Sequence, residues 1–232
     1  MDLISEIDVS IFRAFNYFCG WNPTLDHFVA YIEILKGFFF IGTFGFLWHQ
    51  DDADQKRRRE ILLVMLLVIA LSLIINRLIA HLLPFRVRPM YAVGAHRPRF
   101  DWHADLENWS SFPSDNATYL FAVAAGVWLI SVRWGLFFGA FAALASLARV
   151  YFGVHYPGDI LVGALIGVVT SIAVNRDMVQ TRIGGRILAW EPRRPAYFYG
   201  VLFLVLAEVS NGFPNTRVIA VAVAHFLTGH GK

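Results

Sequence analysis

The sequence predicts an all-α fold, a polytopic transmembrane helical bundle of about six spans with an N-terminal interfacial helix. Three observations predict it. Hydrophobic residues make up 57% of the 232-residue chain and charged residues only 16%, an apolar balance beyond that of ordinary soluble domains. The mean hydropathy is +0.53. The apolar residues are gathered into runs close to the length that crosses a bilayer, and most arginines fall in the segments between them. No polar stretch of domain size interrupts the runs, so residues 1–232 read as one membrane-embedded domain.

In chain order, residues 1–21 come first. Leu3, Ile4, Ile7, Ile11, Phe12, Phe15 and Phe18 recur at helical spacing and mark one apolar face. Asp2, Glu6, Asp8 and Arg13 make the segment too polar to span, and no positively charged start leads to a cleavage site, so an interfacial or re-entrant helix is expected. Cys19 is the only cysteine, which excludes an internal disulfide. The apolar runs follow at 27–48, 60–83, 117–132, 134–150, 158–175 and 196–228, the last broken at Asn211-Gly-Phe-Pro214. Several approach the roughly 20 residues that cross a bilayer as a helix. The runs 117–132 and 134–150 are shorter and share only a brief turn. Glu33 and Lys36, near the middle of the first run, read as a paired or water-facing polar spot, and Arg77 in the second as a structural residue pairing inside the bundle.

Orientation follows from the basic segments. Lys56-Arg57-Arg58-Arg59 lies between the first two spans, and Arg176, Arg182, Arg186, Arg193 and Arg194 follow the fifth, which assigns both segments to the cytoplasm together with the turn at Arg133. These arginines report topology and contact with anionic membrane lipids, and no nucleic-acid partner is expected. Span counting then puts the 84–116 loop and the 151–157 turn together on the opposite face.

Three polar clusters fall in or beside that loop and turn. Arg149-Val-Tyr-Phe-Gly-Val-His155-Tyr-Pro-Gly-Asp159 sets an arginine, an imidazole and a carboxylate at fixed spacings, and ionisable groups at a membrane boundary are costly unless they have a task. His155 and Asp159 are one helical turn apart, with Pro157 suited to a first turn. The carboxylate can therefore sit under the ring, keep one nitrogen protonated and leave the other free to attack. Arg149 offers a planar fork to phosphate oxygens. The competing reading makes His155 an interfacial anchor and Arg149 a positive-inside residue. Against it stand Arg86-Val-Arg88-Pro89 after the second span and Ser111-Phe-Pro-Ser114-Asp115-Asn116 before the third, both directed to the same face. The 91–109 loop, with Arg97, Arg99, Asp101, His103, Asp105 and Glu107, reads as an amphipathic lid. Its His and Asp residues repeat no tight ligand pair, so no metal is expected there.

The order of these clusters resembles that of the type 2 phosphatidic acid phosphatase (PAP2) superfamily of membrane lipid phosphatases, from about the second span through the fifth. Arg149, His155 and Asp159 match the third motif, with Ala148 where a serine is usual. Pro113 and Ser114 match the second, and the Ser-Phe-Pro-Ser-Asp context is similar to the bacterial undecaprenyl-diphosphatase branch. Arg88 and Pro89 match the first, whose lysine position falls on His81. A protonated imidazole there still donates to phosphate, and Arg77, one turn earlier, could share that task.

The resemblance implies a nucleophilic His155 that forms a phosphohistidine, with Asp159 orienting it and stabilising its charge. It further implies that Arg88, Arg149, Ser114, His81 and Asp115, with nearby backbone N–H groups, form the phosphate site. Preorganised charge of this kind does the work of catalysis, so neither metal nor other cofactor is implied. Asn116 stands where the family has the histidine that protonates the leaving group and later activates water, and an amide has no useful pKa for either step. Three readings follow. The leaving group needs little protonation, as with a diphosphate, helped by Asp115 or His103; or the enzyme is crippled; or the chain binds without turnover. The function implied is hydrolysis of a polyprenyl diphosphate, such as undecaprenyl diphosphate, at the outer face of a bacterial cytoplasmic membrane. A lipid phosphotransferase or a phosphatidate or phosphatidylglycerophosphate phosphatase is one alternative, and a catalytically silent headgroup binder or transporter is another.

Overall fold

A computed structural model of the chain describes residues 3–100 and 106–212. Among these residues every regular element is a helix: α1 (Leu3–Asn16), α2 (Pro23–His49), α3 (Gln55–Leu82), α4 (Pro89–Ala92), α5 (Asp115–Ile130), α6 (Val132–Tyr151), α7 (Pro157–Val174), α8 (Asp177–Val179), a π-helical turn (Gln180–Gly184), α9 (Gly185–Leu188) and α10 (Pro195–Ser210). Four of them, α2, α3, α6 and α7, are long and apolar enough to cross a membrane, and α5 and α10 are shorter apolar helices. The bundle is all-α, as the composition predicts. The second half of the 196–228 run lies outside the described residues, and so does His103.

The helix ends have local causes. Asn22 caps α2 by accepting from the Thr24 amide, and Pro23 opens the first turn. Ser114 caps α5 by accepting from the Ala117 amide at 3.3 Å. At the head of α7, Asp159 accepts from the Tyr156 amide at 2.8 Å and Pro157 fixes the first helical φ. α6 stops at a turn in which Gly153 takes φ +72°, a left-handed value that suits glycine.

α5 is the central helix. Leu62, Met65 and Ile69 of α3, Leu120, Val123 and Val127 of α5, Phe138 and Ala142 of α6, and Phe40, Phe44 and Trp48 of α2 form one buried core. α7 lies against α5 across Gly163 and Gly167, where an added Cβ would meet the carbonyl oxygens of Ser114 and Thr118. Such small-residue contacts let membrane helices approach closely. Phe28, Tyr31, Leu35 and Phe38 of α2 and Leu161, Leu165 and Val169 of α7 face outward and exposed, where lipid tails would cover them.

α1 is a helix whose apolar residues are divided between the bundle and the outside. Val9, Phe12 and Asn16 face the bundle, Asp8 is buried with them, and Ile7, Ile11, Phe15 and Phe18 stay exposed on the outer side. Asn16 fixes the helix by donating to the carbonyls of Tyr151 (2.8 Å) and His96 (3.0 Å) while accepting from the His96 amide.

The two ends of the bundle are chemically distinct. At one, Arg58 donates to the carbonyls of Leu47 and Gln50 and to both oxygens of Asp52, and Arg59 reaches Trp48 and Glu191, so these two arginines tie α2, α3 and the α9–α10 turn together. At the other, the Met90 amide donates to Gly153 O and Arg88 Nη1 to Val154 O, which draws the 84–116 loop onto the 151–157 turn.

Candidate active site

His155 lies in the turn between α6 and α7, which folds back on Arg149: the amides of Val154 and His155 both donate to the Arg149 carbonyl. The ring is 1% exposed. Its Nδ1 is 2.8 Å from the Ser111 carbonyl oxygen, an atom that only accepts, so Nδ1 carries the proton and Nε2 the lone pair. Asp159 Oδ2 stands farther off, 3.6 Å from Nδ1. Asp159 thus shares the Nδ1 side of the ring with the Ser111 carbonyl. The carboxylate is also engaged by the Tyr156 amide and by Arg86 Nη1 at 2.5 Å, and the backbone of the second cluster takes the ring proton. Burial pushes the His155 pKa down, and Arg149 and Arg88 push the same way against Asp159.

Arg88 stands at the Nε2 edge of the ring, with Nη1 3.4 Å from Nε2 and 3.0 Å from the Val154 carbonyl. Its Nε donates to Trp109 O and its Nη2 to Ser110 O, so the loop carbonyls aim the guanidinium at His155. Burial, with Arg149 adding repulsion, lowers its pKa to about 10, and it stays charged at neutral pH. Arg149 Nη1 donates to Glu33 at 3.1 Å. Lys36 pairs with the same carboxylate and donates to Asn116 Oδ1 at 2.7 Å. Arg77 pairs with Asp115 at 2.6 Å and lies over the Trp109 ring.

These cations surround a cavity of about 350 Å³, bordered by Lys36, Arg77, Arg88 and Arg149 with Asp115 and Asn116, and walled by Leu73, Leu106, Trp109 and Tyr119. A second chain of charge runs beneath His155. Arg86 joins Asp8 at 2.6 Å to Asp159, stacks over Tyr156, and Asp8 also accepts from the Gly158 amide at 2.7 Å. The first turns of α5 and α7 both open at this end, adding the positive ends of two helix dipoles. The ensemble can hold a polyanion and presents an unprotonated imidazole nitrogen beside it.

Of the residues singled out in the sequence, Arg88, Arg149, Asp115 and Asn116 border the cavity. His155, Asp159 and Ser114 lie behind them, and Ser114 is fully buried as the cap of α5. His81 does not join the group: it is exposed in the last turn of α3 and does not border the cavity, whereas Arg77, one turn deeper, does. Glu33, Lys36, Arg86 and Asp8 belong to the site and were not read as such. For Glu33 and Lys36 the signal was two charges one turn apart inside an apolar run. For Asp8 no local signal separates a buried carboxylate from a solvated one. Among the described residues no group of three His, Cys, Asp or Glu side chains is gathered as metal ligands.

A family model described as the PAP2 superfamily matches residues 60–183. The chain is 30% identical over 162 residues to an undecaprenyl-diphosphatase of Sulfolobus acidocaldarius, covering 64% of this chain and 74% of that one. It is 34% identical over 65 residues to the bacitracin transport permease protein BcrC of Bacillus licheniformis, covering 28% of this chain; the chain thus spans about a third, 32%, of that relative's length. The crystal structure of Aquifex aeolicus LpxE superposes with a TM-score of 0.53 at 24% identity, over 71% of this chain and 92% of that one, a likeness of fold.

Proposed function

The chain belongs to the PAP2 superfamily, and from that premise we propose that it is a membrane lipid phosphatase that hydrolyses a polyprenyl diphosphate to the monophosphate through a phosphohistidine. One observation carries the reading: four cations, Lys36, Arg77, Arg88 and Arg149, border one cavity, and the lone-pair nitrogen of His155 stands 3.4 Å behind Arg88. Glu33 and Asp115 offset only part of that positive charge. A diphosphate headgroup, with its several negative charges, supplies the remainder. The name of the Sulfolobus relative supports the same substrate class.

In this mechanism His155 Nε2 attacks the terminal phosphorus as the bond to the bridging oxygen breaks, and the lipid monophosphate leaves. Water then breaks the P–N bond and releases inorganic phosphate. Arg88 exchanges its hydrogen bond to Nε2 for the arriving phosphoryl oxygens, joined by Arg149, and the two held cations stabilise the charge spread over the transferring group. Asp159 stabilises the positive charge that the ring gains. Ser114 orders the first turn of α5, and Asp115 holds Arg77 at the cavity wall. The site would face the periplasm or exterior of a bacterial cytoplasmic membrane, within a single domain of residues 1–232.

The test is release of inorganic phosphate by the purified protein in detergent from a panel of lipid diphosphates and monophosphates. Diphosphates are expected to react fastest, and His155→Ala is expected to abolish turnover while the protein stays folded. Activity of His155→Ala within a few-fold of the parent sinks the phosphohistidine. Preference for monophosphates would move the reading to a phosphatidate-type phosphatase, phosphate appearing on an alcohol acceptor to a phosphotransferase, and binding without release to a silent headgroup binder.

A further inference from the structure

We infer that Lys36 is the proton donor to the leaving group in this reaction, taking up from α2 the duty that an amide at residue 116 cannot perform. The inference rests on the phosphatase reading above. Lys36 lies in the middle of α2, a helix whose other faces are largely apolar, and an ammonium group in such a helix is expensive unless it is used. Neutralising Glu33 does not account for it, because Arg149 Nη1 already lies 3.1 Å from the same Glu33 oxygen. The informative contact is the third one, from Lys36 Nζ to Asn116 Oδ1 at 2.7 Å. That oxygen only accepts, so it fixes the direction of an N–H bond and holds the ammonium beside residue 116. Lys36 and Asn116 border the same cavity as Arg88 and Arg149.

An amide neither gives nor takes a proton near neutral pH, whereas an ammonium group carries one there that it can give to an oxygen gaining charge. The pair thus divides between two helices what one imidazole would do: Asn116 orients and Lys36 donates. As the bond from His155 Nε2 to phosphorus forms and the bond from phosphorus to the bridging oxygen breaks, one proton passes from Nζ to that oxygen. Lys36 is left as a neutral amine and the departing lipid phosphate as its protonated form. The amine recovers a proton from the water that later hydrolyses the phosphohistidine, so the cycle consumes only water.

The experiment follows formation of the phosphohistidine in a single turnover, with the parent, Lys36→Arg, Lys36→Met and Lys36→Met/Asn116→His. Three substrates graded by leaving group are used: a lipid monophosphate, a lipid diphosphate and 4-nitrophenyl phosphate, whose leaving group needs no proton. Lys36→Arg keeps the charge but holds its proton. It is expected to slow transfer from the diphosphate about 10²-fold and from the monophosphate more, toward about 10⁴-fold, with the nitrophenyl reaction slowed least, so that the loss is graded by the leaving group. A melting temperature in detergent close to the parent's shows that the variants are folded. In the double variant, transfer should recover and its fall at rising pH should move to the imidazole range, near about 6.5. An equal loss with all three substrates would make Lys36 a phosphate-binding cation and overturn the inference while leaving the phosphatase reading intact. No loss with any of them would overturn it as well. A parent that forms no phosphohistidine from any of the three overturns the phosphatase reading, and the inference with it.

Discussion

At His155 the carbonyl of Ser111 and the carboxylate of Asp159 both lie near one ring proton, and the carbonyl is nearer, 2.8 Å against 3.6 Å. The two oxygens do different things. A carbonyl fixes the tautomer and carries no charge, and a carboxylate stabilises a ring that becomes positive. Burial and the two arginines hold the His155 pKa below the ordinary imidazole value, so the attacking neutral form persists on acidification. The acid limb of kcat/KM, followed as phosphate release against pH, is therefore expected below about 6.5. The same shift bears on stability. Below the unfolded-state pKa the unfolded ring takes up a proton that the buried ring refuses, so the thermal midpoint is expected to fall as pH drops through about 6.5 and below. A midpoint that rises over that interval would contradict the assignment. The triplet Arg149, His155 and Asp159 was legible because it lies within one short stretch, whereas the Ser111 carbonyl is a backbone atom 44 residues away and no residue type advertises it. Lys36 was visible only as an oddity, since an isolated helix does not reveal which of its faces meets a neighbour.

Among the elements, α5 and α7 carry the geometry. Gly163 lets the head of α7 lie directly on the Ser114 carbonyl, and the Ser114 amide donates to the Asp159 carbonyl at 3.1 Å across the same contact. Gly163→Val must push the helices apart. A destabilisation of about 1–3 kcal/mol is expected, seen as a lowered melting temperature in detergent, together with slower turnover because Asp159 moves with α7. α1 contributes through Asp8, which accepts from Gly158 and pairs with Arg86. Asp8→Ala should cost about 2 kcal/mol in the same melting assay, and Asp8→Asn less, because the amide oxygen can still accept from Gly158. Equal losses for the two would mean that the ion pair, not the cap, carries the effect. The helix boundary was readable where Pro157 opens α7, while α2 and α10 likewise open on prolines, Pro23 and Pro195, that the hydropathy runs leave out. α3 starts at Gln55, five residues before the apolar run, because Arg58 spends its charge on the carbonyl end of α2 and a helical start suits that reach. Hydropathy alone does not see a charged turn that is helical for this reason.

For the whole molecule, the expected grouping of segments and the observed one coincide: the 84–116 loop meets the 151–157 turn, and the basic residues 56–59 meet 177 and 191 at the far end. Sidedness is a separate question that labelling decides. In a Cys19→Ser background, Arg57→Cys and Trp109→Cys, both exposed positions, should react with an impermeant thiol reagent from opposite faces of intact cells. Reaction of both from one face would refute the topology. Ser114 and His155 are too buried to serve as reporters. The charge bias of the loops could suggest this arrangement, but not how α1 enters it. That helix carries Ile7, Ile11 and Phe15 outward and Asp8 inward, so one side is apolar and exposed while the other is tethered. Its inner side is joined, through Arg86, to the carboxylate beneath His155. An α1 lifted from the bundle would carry Asp8 with it, leaving Arg86 with one of its two carboxylates and the head of α7 without the acceptor for Gly158.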